Sequence, residues 1–287
     1  MNQINLFIEL TRLKKPIGYM LLFWPCAWGL TLAYDFSTNL NNYFFYLLLF
    51  FLGAVLMRSA GCIVNDILDK EFDKKVDRTK NRPIASNNVS VRLAIIYSII
   101  LCFLALLVLL NFNTLTIILA FSSMPLAFAY PLMKRFTYWP QLFLGVTFNY
   151  GLILGWTSIN NEINLLPLVF YLGAIFWTLG YDTIYGFQDI NDDEIIGLKS
   201  TSIKFKTKPY FFLFLCYSVF FLSLIFIGFN SDMKQIYFIF LLLVFFQMFF
   251  KQLKKLNIKS QSSCLEVFKS NNVLGALIFV GLLISKY

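Results

Sequence analysis

Apolar runs long enough to cross a bilayer recur along the whole chain, separated by short polar stretches, from "IGYMLLFWPCAWGLTLAY" near the start to "NNVLGALIFVGLLIS" near the end. A hydrocarbon core about 30 Å thick needs roughly 20 apolar residues per helix, so runs of this length read as spans rather than as helices of a soluble core. The pattern predicts nine of them, near residues 17–34, 44–66, 91–110, 114–131, 138–158, 166–188, 210–229, 234–251 and 270–285. Short connections such as "NFN" at 111–113 predict antiparallel neighbours. Pro125 and Pro131 predict a kink or an end in the fourth helix. The expected fold is all-α: a polytopic membrane protein of one domain over residues 1–287, with nine transmembrane helices around a central cavity.

Composition strengthens this picture. Of 287 residues 59% are hydrophobic and only 14% charged, 34 are Phe, and mean hydropathy is +0.69. The N-terminal bases are followed by a full-length span with no small-residue cleavage site, so the first helix is expected to stay. Every Lys and Arg except Arg58, Lys234 and Lys286 falls on one set of alternating loops. The positive-inside rule therefore predicts a cytosolic N-terminus and an outer C-terminus. The net charge of +9 suits an anionic leaflet, and no nucleic acid partner is implied. The run "KQLKKLNIKS" at 251–260 reads as one of these basic loops, with a lid as the alternative. Because no transit segment precedes the first helix, the expected location is a bacterial cell inner membrane.

The acids are placed differently. Asp66, Asp69, Glu71, Asp73 and Asp77 form one cluster, and Asp182, Asp189, Asp192, Asp193 and Glu194 a second. Both lie at cytosolic helix ends, in predicted loops about 65–90 and 189–209. Asp66, Asp69 and Asp73 follow i, i+3, i+7, and Asp189 and Asp193 are four apart, so each set shares a helical face. Stacked like charges destabilise a helix unless cations neutralise them, and the penalty grows beside a membrane. The chain has no His, which removes imidazole bases and haem or zinc ligands of that type. Cys26, Cys62, Cys102, Cys216 and Cys264 lack CxxC spacing and read as buried small hydrophobes. Two facing sets of oxygen ligands among bases suit Mg²⁺ shared with phosphate oxygens. A diphosphate gripped at the mouth of an apolar bundle implies a substrate with a long apolar tail.

These motifs resemble the UbiA family of intramembrane aromatic prenyltransferases. The first hallmark, NDxxDxxxD, stands as "NDILDKEFD" at 65–73, and the second, DxxxD, as "DINDD" at 189–193. "RLKKPIGYMLLFWP" at 12–25, "RTKNRPIAS" at 78–86, "YPLMKR" at 130–135 and "NNVLGALIF" at 271–279 extend the similarity over almost the whole chain. The strings are most similar to those of members that prenylate 4-hydroxybenzoate in ubiquinone biosynthesis. The resemblance implies transfer of a polyprenyl group from polyprenyl diphosphate to the ring carbon ortho to the hydroxyl. It also implies a metal-binding wall of Asn65, Asp66, Asp69 and Asp73 opposite Asp189 and Asp193, and a diphosphate contacted by Tyr130, Lys134, Arg78, Lys80 and Arg82.

Several roles stay open at this level. Arg58, inside a span, is expected to pair with and orient the acids, with a contact to the benzoate carboxylate as the alternative. Arg12 and Lys15 read either as topogenic charge or as cations for that carboxylate. Asp182 is expected to support the site through a buried partner. A naphthoate, haem or chlorophyll precursor is the alternative acceptor class. An ion-coupled transporter fits less well, because the acids sit at one membrane face rather than at midplane helix breaks.

Overall fold

The computed structural model describes residues 3–287, and among them there is no strand. The chain opens with α1 (Gln3–Leu10), α2 (Ile17–Ala33), α3 (Leu40–Leu68) and the single turn α4 (Lys70–Asp73). Next come α5 (Val91–Leu109), α6 (Thr114–Phe136), α7 (Pro140–Asn160) and α8 (Leu165–Gly186). Two short pieces, α9 (Ile190–Ile196) and α10 (Thr201–Lys204), precede α11 (Pro209–Asn230), α12 (Gln235–Phe245) with a π-helical continuation over Phe246–Leu253, and α13 (Gln261–Lys286). Among the described residues, eight helices are long and apolar enough to cross a membrane. The ninth apolar helix, α2, has 17 residues and spans about 25 Å at 1.5 Å per residue.

Polar residues at the loop ends set many helix starts. Asn39, Ser90, Asn113, Asn164 and Ser260 each accept a hydrogen bond from a first-turn amide, satisfying donors that the helix itself leaves orphaned. Ser260 starts α13 about nine residues before the apolar run predicts. Its first turns are polar, and hydropathy alone does not register them. Pro131 does not end α6. The helix runs through both prolines to Phe136 and so carries Lys134 and Arg135 in its last turn, where cations complement the helix dipole.

Helix α2 is the central element, buried without interruption from Phe23 to Leu32. It packs backbone to backbone on α7. A Cβ on Gly155 would lie 2.3 Å from the Cys26 carbonyl oxygen and 2.6 Å from the Leu30 nitrogen, so only glycine permits this approach. Helix α13 is tied across the core by three indoles. Trp24 Nε1 donates to Asn272 Oδ1 at 2.8 Å, Trp177 Nε1 to Asn271 Oδ1 at 2.8 Å and Trp28 Nε1 to the Gly275 carbonyl at 3.0 Å. These three bonds satisfy indole N–H groups that a water-free interior would otherwise leave unpaired.

The segment between α4 and α5 is packed rather than loose. Val76, Ile84, Ala85 and Val89 are buried, and Ile84 and Val89 join Leu6 and Leu10 of α1 against Ala60, Ile63 and Ala94. This small second core fastens α1 and the 74–90 segment over the end of α3. The predicted spans contain no sign of α1, whose eight residues are too few for a span and bury only Leu6 and Leu10.

Candidate active site

The C-terminal ends of α3, α6 and α8 meet at one end of the bundle, and the charged residues collect there. Asp66, in the last turn of α3, is 2% exposed and is held by Arg12 Nη2 at 2.5 Å and Arg82 Nη1 at 3.1 Å. Arg82 Nη1 also reaches Asp73 Oδ2 at 2.9 Å, so one guanidinium bridges two carboxylates a helical stretch apart. Asp69 caps α3, with Lys134 Nζ on Oδ2 at 2.5 Å. Arg135 stands 3.7 Å from Asp69 Oδ1, and this buried oxygen has no hydrogen-bond partner.

The second wall meets the first at Lys134. Arg78 grips Asp189 through Nε and Nη2, with Oδ1 at 2.8 Å and Oδ2 at 2.5 Å, while its Nη1 donates to the Tyr185 hydroxyl at 3.1 Å. Asp193, half-buried on α9, lies within electrostatic reach of Lys134 and Arg78. Burial and the neighbouring Asp189 carboxylate push Asp193 up to about 6. Burial likewise raises Asp73 despite Arg82. The two acidic motifs therefore occupy the same end of the molecule and share Lys134, which pairs with Asp69 and lies within electrostatic reach of Asp193.

Below the carboxylates lies a second polar layer. Arg58 stacks on Phe148 at 5.4 Å and lies within electrostatic reach of Cys62, Tyr130, Asp182 and Arg12. Its guanidinium runs under Gly18, where a Cβ would sit 2.8 Å from Nε. Among the described residues Arg58 forms no ion pair, so the expected pairing with the acids is not what the structure has. The residue that pairs with Asp66 is Arg12, which the sequence left as topogenic charge or an acceptor contact. Arg12 adopts a left-handed φ of 56°, a conformation that costs a non-glycine residue about 1 kcal/mol or more. That turn between α1 and α2 aims its side chain back at α3.

The remaining expected site residues are distributed unevenly. Asn65 is half-buried beside Asp66, and its carbonyl accepts the Asp69 amide at 2.9 Å. Tyr130 belongs with Arg58 and Asp182 in the deeper layer, one turn of α6 below Lys134. Lys80 is not brought to Asp66, Asp69, Asp73, Asp189 or Asp193. It is exposed, with Nζ 2.6 Å from Asp77. Tyr185 is the member that spacing did not single out. It lies on the same face of α8 as Asp189 would continue, four residues earlier, and this periodicity was the available signal.

The donor set fits a hard divalent cation, since it is all oxygen and includes the unpartnered Asp69 Oδ1. As the side chains stand, no three acids among the described residues are gathered closely enough to chelate one ion. Arg12, Arg82, Lys134 and Arg78 occupy the spaces between them. Four bases neutralise the walls.

The sequence model of the UbiA prenyltransferase family matches residues 22–278. The chain is 42% identical over 289 residues to "4-hydroxybenzoate polyprenyltransferase, mitochondrial" of Arabidopsis thaliana, covering 99% of this chain and 69% of that protein. It is 43% identical over 283 residues to the protein of the same name from Bos taurus, covering 97% of this chain and 74% of that one. Among solved structures, the apo UbiA homolog from Aeropyrum pernix K1 superposes with a TM-score of 0.78 at 21% identity, over 93% of this chain and 98% of that one. A UbiA homolog from Archaeoglobus fulgidus bound to GPP and Mg²⁺ gives a TM-score of 0.74 at 16% identity, over 98% and 99%. The expected bacterial inner membrane does not stand against these relatives, which are mitochondrial. That expectation rested on where the sequence begins, and a starting point carries no information about compartment. A family match over most of the chain, relatives above 40% identity across nearly its whole length, and both acidic motifs at one bundle end agree: the chain belongs to the UbiA prenyltransferase family.

Proposed function

We propose that this protein transfers a polyprenyl group from polyprenyl diphosphate to the carbon ortho to the hydroxyl of 4-hydroxybenzoate, with release of diphosphate, in ubiquinone biosynthesis. The observation that carries the reading is the convergence of two carboxylate walls on a cluster of bases, with Lys134 between them, at one end of an apolar bundle. The names of relatives at 42–43% identity support the acceptor.

Asn65, Asp66, Asp69 and Asp73 on one side and Asp189 and Asp193 on the other would hold Mg²⁺, as the Mg²⁺-bound homolog supports. When bound, the ion neutralises carboxylate and diphosphate charge together. Lys134, Arg78 and Arg82 then exchange their carboxylates for diphosphate oxygens and stabilise the leaving group as the allylic C–O bond ionises. The deeper Arg58, without an ion-pair partner among the described residues, would receive the acceptor's carboxylate and so set the phenol ring toward the cation. Asp182 and Tyr130 beside it orient that guanidinium. The apolar bundle takes the tail and excludes water, which would otherwise quench the cation. No residue need become covalently attached, and no cysteine lies exposed among the described residues.

The direct test incubates purified protein with Mg²⁺, a polyprenyl diphosphate and either 4-hydroxybenzoate or a hydroxynaphthoate. Ring-prenylated hydroxybenzoate with stoichiometric diphosphate is expected. Tight diphosphate binding without product, or transfer to the naphthoate alone, would remove the proposal.

A further inference from the structure

On the far side of α11 from the bundle centre, α11 and the end of α12 leave an open groove of about 420 Å³. It lies outside the acidic site. Phe214, Phe221 and Leu222 line it from α11, and Phe245, Phe249 and Phe250 from the other helix. Along α11 the lining runs for about 12 Å at 1.5 Å per residue. Phe214 and Leu222 are 51% and 62% exposed, so the slot opens outward, toward lipid.

The polar end of the groove depends on the π-helical turn. In an α-helix, nine residues make two and a half turns and would put Lys254 on the face opposite Phe245. Over Phe246–Leu253 the hydrogen bonds shift to i→i+5, and the Lys254 amide donates to the Phe249 carbonyl at 3.2 Å. That underwinding, with more residues per turn, returns Lys254 to the groove side, where its Nζ lies 5.9 Å from the centroid of the Phe250 ring. Lys251 and Lys255 flank it, and all three are exposed and without an ion-pair partner among the described residues. The only polar side chain within the apolar stretch is Ser218. A greasy slot ending in unpaired lysines at the basic side of the membrane has the chemistry of a phospholipid that carries net negative charge.

We infer that this groove is a binding site for an anionic phospholipid, with an acyl chain between α11 and α12 and the phosphate on Lys254. The basic run 251–260 is then a lipid-headgroup site, rather than topogenic charge alone or a lid. The aromatic ladder holds the chain against α11, and the π turn is retained because it aims Lys254. This reading is independent of the prenyl-transfer chemistry.

Native mass spectrometry and thermal unfolding of the detergent-solubilised protein, titrated with phosphatidylglycerol or phosphatidylcholine of the same acyl chains, test it. Phosphatidylglycerol is expected to be retained and to raise the unfolding temperature, and phosphatidylcholine to do so less. Lys254→Gln should weaken phosphatidylglycerol binding about fivefold, the worth of one lysine at an anionic surface. Ser218→Leu, which fills the slot from α11, should weaken both lipids. Prenyl transfer in detergent should be unchanged in either variant. Equal binding of the two lipids, or an undiminished phosphatidylglycerol effect in both variants, overturns the site. Displacement of the lipid by a polyprenyl diphosphate also overturns it, since the groove would then belong to the substrate tail.

Discussion

Replacing Arg82 by Gln removes the one guanidinium that bridges Asp66 and Asp73, at 3.1 and 2.9 Å. Both side chains are almost out of solvent, at 2% and 10% exposure, while Arg82 itself is 21% exposed. Removing one partner of a fully buried ion pair costs about 3–5 kcal/mol, because a charge is left without compensation. Here Asp66 keeps Arg12 at 2.5 Å, and Arg82 is partly hydrated. The expected loss is therefore nearer ~2 kcal/mol, which corresponds to a fall of about 3 °C in unfolding temperature for a chain of this size. Asp73 loses its only ion-pair partner among the described residues. Burial already raises its pKa, and without Arg82 it must rise further. A carboxyl whose folded pKa lies above the unfolded value favours folding only while protonated. The deficit should accordingly widen as pH rises from near the ordinary carboxylate value, about 4, through the raised one. Saturating Mg²⁺ should narrow it, because the variant offers its carboxylates without first displacing a base. The assay is thermal unfolding in detergent across pH, with and without Mg²⁺. An unfolding temperature equal to wild type in metal-free buffer at neutral pH would refute the counter-ion reading of Arg82.

Asp69→Ala and Asp189→Ala should each lower kcat by at least about a hundredfold, the scale of losing one transition-state charge partner, while expression and membrane insertion stay near wild type. Turnover assays on the purified variants check this. Lys80→Ala should leave both rate and unfolding temperature unchanged, because that ammonium rests on exposed Asp77 and not on the site. Asn271→Leu strands the buried Trp177 indole N–H and should cost about 1–3 kcal/mol in the same unfolding assay. Gly155→Ala drives a Cβ into the α2 backbone and should cost about 1–3 kcal/mol through separation of the two helices.

The amino-acid sequence by itself determined the class of fold and the chemical nature of the site. Bilayer thickness makes apolar run length a direct measure of a span, so the helices were legible to within a few residues. The carboxylate motifs were legible because helical periodicity turns spacing into a shared face. Other features had no local signature. Helix α1 was hidden because its eight residues bury only two side chains, and the polar start of α13 because residues 261–269 carry no apolar run for hydropathy to register. Which base meets which acid was decided by the tertiary structure alone. Arg12, Arg78, Arg82 and Lys134 reach their carboxylates over separations of 54, 111, 9 and 65 residues. Coulomb attraction carries no record of sequence distance. Only the packing of α1 and the 74–90 segment against the end of α3, and the extension of α6 past Pro131, bring those charges within reach of one another.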